Sequence, residues 1–174
     1  MKPKHTLILG GARSGKSRFA EQLASKTEKT VIYLATAQGR DDEMQARIHH
    51  HQQQRPQHWL VIEEPIELAE ALLTHSKAGN CILVDCLTLW LTNCLCGDNN
   101  CWAQQKQALL DVLNVLPGQV IFVSNEVGHG IVPLGQLSRD FVDESGRLHQ
   151  AIAAQVARVE FIMAGLPLTL KSSK

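Results

Sequence analysis

An excess of charge of either sign is missing from this chain: seventeen basic residues balance seventeen acidic ones across 174 positions. No global field therefore draws it to nucleic acid or to an anionic membrane, although a local loop can still bind a small phosphorylated ligand. Also missing is an uninterrupted apolar run of about 18 residues, the length that a spanning helix needs. Met1 to Thr6 holds two lysines and leads straight into an apolar strand pattern, with no long apolar h-region, so no signal peptide is read there. The expectation is a cytoplasmic protein without a membrane span. Internal repeats, low-complexity tracts and Pro/Gly linkers are absent, and a single domain over residues 1–174 is expected. The five cysteines, Cys81, Cys86, Cys94, Cys96 and Cys101, are an odd set without a C-x-x-C pair. The spacing of the last four matches no familiar zinc pattern, so reduced thiols in buried or half-buried positions are expected, with a zinc site as the alternative.

What is present begins with Gly10, Gly11, Ala12, Arg13, Ser14, Gly15, Lys16 and Ser17, a complete G-x-x-x-x-G-K-[ST] phosphate-binding pattern. The apolar run Leu7, Ile8, Leu9 precedes it and a helical pattern follows, which is the strand–loop–helix context that the motif requires. Glycines let the backbone approach a polyphosphate closely, so that consecutive N–H groups and a helix N-terminus point at the anion. Lys16 supplies a cation for the β/γ oxygens and the Ser17 hydroxyl a ligand for Mg²⁺. An accidental lysine in a glycine-rich turn is the alternative, and both flanks argue against it.

The rest of the chain alternates strand and helix patterns. Apolar runs at 5–9, 31–35, 81–84 and 120–124 read as strands buried on both faces. A shorter strand is read at 59–63, and 160–163 with 168–170 are placed to close the sheet. Helical patterns are read at 16–26, 41–54, from Pro65 onward, at 86–97, 102–115 and near 135–158. The order βαβαβα implies an α/β fold, a mostly parallel sheet with helices on both faces and right-handed crossovers. The polar stretch from Thr36 to Arg40 then falls on the side where such sheets bind ligands.

Three groups carry candidate chemistry. Asp85 ends a buried strand and is presented towards the phosphate loop, where such a carboxylate completes a Mg²⁺ site with Ser17; it can also cap the helix that follows. His49, His50 and His51 sit about 100° apart on a helix, so they cannot converge on one ion. His51 lies on the apolar stripe of Met44 and Ile48, with Arg47 one turn earlier. It reads either as a packed structural histidine or as a nucleophile towards phosphorus. Asn125 and Glu126 end another strand ahead of a glycine-flanked loop; Glu126 there can bind Mg²⁺, orient a hydroxyl, contact a base, or be a plain loop acid.

Four segments, GGARSGKS at Gly10–Ser17, DDEMQARIHHHQQQRP at Asp41–Pro56, DCLTLWLTN at Asp85–Asn93 and SNEVGHGIVP at Ser124–Pro133, together resemble the bifunctional adenosylcobinamide kinase / adenosylcobinamide-phosphate guanylyltransferase family of cobalamin biosynthesis. The likeness runs in order from the first strand to beyond residue 150. Its phosphate loop is unspecific, whereas the segments around His51 and Glu126 are highly specific. The resemblance implies a RecA-like P-loop fold, a homotrimer with active sites near subunit boundaries, Mg²⁺, and ATP and GTP as substrates. It implies a kinase step on adenosylcobinamide in which Lys16, Ser17, Asp85 and Mg²⁺ stabilise charge. It further implies a transfer step in which His51 is guanylylated by GTP and passes GMP to adenosylcobinamide phosphate. Arg47, His50 and Arg55 are then candidates to steady phosphate oxygens. Two other readings of the residues remain open: a plain small-molecule kinase in which His51 is structural, and a P-loop module that binds nucleotide and partners without transferring GMP.

Overall fold

The computed structural model describes residues 5–38, 56–97 and 101–172. The helix expected over 41–54, and with it Arg47, His49, His50, His51 and Arg55, lies outside the described residues. Within them, the strands are β1 (Thr6–Gly10), β2 (Thr30–Ala35), β3 (Leu60–Glu63), β4 (Asn80–Asp85), β5 (Gln119–Asn125), β6 (Arg158–Met163) and β7 (Leu166–Ser172). The helices are α1 (Lys16–Ser25), α2 (Leu68–His75), α3 (Leu87–Cys96), α4 (Trp102–Val112) and α5 (Gln136–Gln155). Each falls where the apolar periodicity puts it, with ends shifted by a few residues, as expected where fraying turns blur a boundary.

The strands form one seven-stranded sheet in the order β3-β2-β4-β5-β1-β6-β7. Every pairing is parallel except the last, where β7 returns antiparallel along β6. That hairpin turns at Ala164 and Gly165, both at positive φ, which is why a glycine stands there. The expectation of a mostly parallel sheet is met, with a hairpin as its one antiparallel edge.

Alternation along the buried strands divides the core in two. Leu7, Leu9, Ile82, Val84, Val120 and Phe122 point to the face covered by α2, α3, α4 and α5, where they meet Leu68, Leu72, Trp90, Leu109 and Leu148. Ile8, Leu83, Ile121 and Val123 point to the opposite face and pack against Ala20 and Ala24 of α1. Burial on both faces explains why these strands read as unbroken apolar runs and not as alternating ones. Small residues on α1 let it lie close to the sheet, so the phosphate loop between β1 and α1 is fixed at both ends. Cys81, Cys86 and Cys94 are buried and Cys101 half-buried as expected, but Cys96 is exposed at the end of α3. Burial pushes the Cys81 and Cys86 thiols up to about 11, so both are neutral near pH 7.

Candidate active site

The loop from Gly10 to Gly15 joins the carboxyl end of β1 to the amino end of α1. Gly10 is demanded by contact, and Gly15 by contact and torsion together. A Cβ on Gly10 would come within 2.5 Å of Ser14 Oγ and 2.6 Å of the Ile162 carbonyl. Gly15, with φ of 94°, would carry a Cβ 3.2 Å from the Gly165 Cα. The β6–β7 turn therefore rests on the loop, and the Gly165 N–H donates to the Ser14 carbonyl at 2.8 Å. Arg13 also takes a positive φ, of 54°, and both Ala12 and Arg13 are exposed. No side chain caps α1 and no acid lies in its first turn, so its first N–H groups are left to an anion.

Lys16 is buried, and its Nζ donates to the Gly11 carbonyl at 3.1 Å, folding the side chain back over the loop. Burial lowers its pKa, an effect opposed by the nearby Cys86 and Asp85 side chains. The structure thus brings Lys16 and Asp85, which are 69 positions apart in the chain, into electrostatic reach of one another. Ser17 is half-buried on the first turn of the same helix. The Asp85 carboxylate accepts a hydrogen bond from the Tyr33 hydroxyl at 3.1 Å. The capping alternative for Asp85 is not what is found: α3 starts from Cys86 and has no side-chain cap.

Asp85 does not stand on the strand beside the phosphate-loop strand, because β5 lies between β4 and β1. In register, Asp85 lies opposite Val123 and Gly10 opposite Asn125. The Asp85–Cys86 corner is held from beneath by Thr36, which is fully buried. Its hydroxyl donates to the Cys86 carbonyl at 2.7 Å and accepts the Cys86 N–H at 2.9 Å. Asn93 Nδ2 in turn donates to the Thr36 carbonyl at 2.8 Å. Thr36, on the ligand-binding side of the sheet as expected, therefore braces the Asp85–Cys86 corner.

Glu126 follows β5, and its backbone N–H donates to the Gly10 carbonyl at 3.0 Å, which sets it beside the first residue of the phosphate loop. Its Oε1 accepts the Gly128 N–H at 2.7 Å and its Oε2 lies 3.3 Å from His149 Nδ1. It is therefore no plain loop acid. His129 further along this loop stacks on Phe161 at 6.0 Å. Sequence reasoning missed His149, although a signal existed: Ser145, Leu148, His149 and Ile152 recur at helical spacing as the buried stripe of α5.

A strand, a complete phosphate loop and an uncapped helix, with a carboxylate delivered two strands away and another strand between, define a P-loop nucleotide-binding protein of the RecA-like kind. The ATPase from a bacterial type III secretion system shares this fold with a TM-score of 0.58 at 12% identity, covering 97% of this chain and 57% of that one. The family model described as cobinamide kinase / cobinamide phosphate guanyltransferase matches residues 6–170, and the chain belongs to that family. The bifunctional adenosylcobalamin biosynthesis protein CobP of Pseudomonas aeruginosa is 57% identical, with 95% of this chain and 96% of that protein aligned. The corresponding protein CobU of Escherichia coli is 38% identical, with 95% and 98% aligned.

Proposed function

We propose that this chain phosphorylates adenosylcobinamide and then converts adenosylcobinamide phosphate to adenosylcobinamide-GDP. Membership of the cobinamide kinase / cobinamide phosphate guanyltransferase family over nearly the whole chain is the observation that carries this reading. It is joined by the buried Lys16 held over a phosphate loop beside Asp85. In the kinase step the substrate hydroxyl oxygen forms a bond to the γ-phosphorus of ATP or GTP. The bond from that phosphorus to the β–γ bridging oxygen breaks, and the nucleoside diphosphate leaves. Lys16 and the N–H groups at the start of α1 offset the charge that collects on the β/γ oxygens.

Mg²⁺ fits the oxygen donors present, the Ser17 hydroxyl and the Asp85 carboxylate. No cluster of three or more His, Cys, Asp or Glu side chains suited to a metal occurs among the described residues. Magnesium, which keeps waters and takes one or two protein oxygens alongside phosphates, requires no such cluster. When bound it would neutralise phosphate charge.

In the transfer step a neutral His51 imidazole attacks the α-phosphorus of GTP, pyrophosphate departs, and a phosphate oxygen of adenosylcobinamide phosphate then displaces the histidine to take up GMP. Arg47, His50 and Arg55 are assigned to phosphate oxygens. The test is incubation with GTP radiolabelled at the α position. Acid-labile, base-stable label should appear on the protein, disappear in His51→Ala and persist in His49→Ala. Label that survives His51→Ala overturns the guanylyl-histidine, and an unlabelled wild type favours the plain kinase.

The homotrimer rests on the family resemblance, and a second observation supports contact between copies of the chain. Ile131 and Leu134 are each 98% exposed, and Val132, Leu137, Met163, Leu166, Leu168 and Leu170 are exposed with them, on the loop after β5, the first turn of α5 and the β6–β7 hairpin. Exposed apolar side chains in this number support an interface between copies. Light scattering should give three times the chain mass. The cytoplasm is the proposed compartment; no helix among the described residues is long and apolar enough to cross a membrane.

A further inference from the structure

Glu126 is held at its backbone by the phosphate loop and on Oε1 by the Gly128 N–H, while its Oε2 faces a separate, buried set of side chains. His149 is 6% exposed, Ser124 1% and Thr88 8%. His149 Nε2 lies 2.7 Å from Ser124 Oγ, Ser124 Oγ lies 3.3 Å from Thr88 Oγ1, and Thr88 Oγ1 accepts the Asn125 N–H at 2.7 Å. At the far end, His149 Nδ1 stands 3.3 Å from Glu126 Oε2, yet this buried atom has no aligned hydrogen-bond partner. Three elements, α3, β5 and α5, thus converge on one carboxylate beside Gly10.

One arrangement of the hydroxyl protons ends on the imidazole. Since the Asn125 N–H occupies one lone pair of Thr88 Oγ1, the Thr88 proton can pass towards Ser124 Oγ, and the Ser124 proton towards Nε2. Cys86 is the other group within reach of the Thr88 hydroxyl, and its thiol sulfur is a weak acceptor. An imidazole that accepts at Nε2 carries its proton on Nδ1, facing Glu126. The carboxylate itself favours that tautomer, since it repels a lone pair and attracts an N–H. Burial keeps the ring neutral.

We propose that His149 is a positioning residue for the kinase step: it holds the Glu126 carboxylate beside the phosphate loop, where Glu126 accepts the proton of the hydroxyl being phosphorylated. As the hydroxyl oxygen bonds to the γ-phosphorus and the nucleoside diphosphate leaves, that proton passes to a Glu126 oxygen. The Nδ1–H group steadies the carboxylate before transfer, and Ser124 and Thr88 hold the imidazole. The role rests on the kinase reading given above.

Steady-state phosphorylation of adenosylcobinamide by ATP, measured for the full chain, tests it with a matched pair of variants. In His149→Gln the amide sits at the Nε2 end, where it can still meet Ser124, and leaves Glu126 Oε2 without its neighbour, while the Gly128 N–H still holds Oε1. In His149→Asn the amide N–H sits at the Nδ1 position, towards Glu126. We expect kcat to fall about 10-fold or more in His149→Gln with the KM for ATP within about twofold, and to recover largely in His149→Asn. Glu126→Gln should cost about 10²-fold, the lower range for loss of a general base, and adding His149→Gln to it should cost nothing further. A wild-type kcat in His149→Gln, equal losses in Gln and Asn variants, a loss seen only in KM, or additive losses with Glu126→Gln would each overturn the role of His149. A wild-type enzyme that leaves adenosylcobinamide unphosphorylated overturns the kinase reading itself, and this role falls with it.

Discussion

At the amino-terminal end of the sheet, His5 donates from Nε2 to the Leu113 carbonyl at 2.9 Å and accepts the Val120 N–H on Nδ1 at 3.0 Å. Beside it the Gly118 N–H reaches Ser76 Oγ at 2.8 Å, and Asn80 bonds both the Lys77 N–H and the His75 carbonyl. At the carboxyl-terminal end of the same strands the donors and acceptors do not close on themselves. Of the three buried side-chain polar atoms without a hydrogen bond among the described residues, two, Ser14 Oγ and His149 Nδ1, are here, and the first turn of α1 is uncapped. Both ends hold a buried histidine whose pKa is lowered by burial. One histidine is fully partnered and ties loops together; the other has a nitrogen facing a carboxylate next to the phosphate loop. An unpartnered polar atom costs stability, so its retention at one end only marks the end that meets a ligand.

The widest separation of the two ends should come from Lys16→Ala. Phosphoryl transfer should fall by about 10²–10³-fold, the scale for losing one preorganised charge-stabilising donor. The thermal midpoint should barely move, because the side chain's one hydrogen bond is to its own loop. Unchanged turnover would mean that the loop does not hold the reacting phosphates. The converse variant is His5→Ala, which strands the Val120 N–H and the Leu113 carbonyl. Denaturant unfolding should show a loss of about 2–4 kcal/mol, while kcat of the folded fraction stays at the wild-type value.

Acid should act on both ends alike. Because His5 and His149 have folded-state pKa values below the ordinary 6.5, the unfolded chain takes up protons first as pH falls. Stability is therefore fully present above about pH 6.5 and declines as pH falls from there towards the lowered values. Melting curves at pH 7.5 and 5.5 should show the lower midpoint at 5.5, with a smaller difference in His149→Asn. Tyr33→Phe should have the smallest effect. Removing one hydrogen bond to Asp85 is worth about 1 kcal/mol, hence about a fivefold drop in phosphoryl transfer, read by steady-state assay with no change in fold.

The legible part of this protein is what repeats or is contiguous. Unbroken apolar runs gave away strands buried on both faces, and eight consecutive residues carried the phosphate loop. Asp85 was found because it ends such a run, and Glu126 for the same reason. What went unread are the partners: Tyr33 for Asp85, Thr36 beneath the Asp85–Cys86 corner, Gly165 against Gly15, and His149 for Glu126. Each pairing joins residues 23 or more positions apart, as Glu126 and His149 are, and no local spacing encodes it.

By itself, then, the sequence determined the parallel sheet and the polyphosphate cradle, because hydrophobic periodicity and glycine torsions act over a few residues at a time, and its four motif segments carried the family resemblance. Only the tertiary structure decided that β5 stands between the loop strand and Asp85, that Asp85 bonds Tyr33 and caps nothing, and that a histidine on α5 faces Glu126. Strand order and helix docking are set by which apolar faces bury each other across the whole chain, and that sum is not written at any one position.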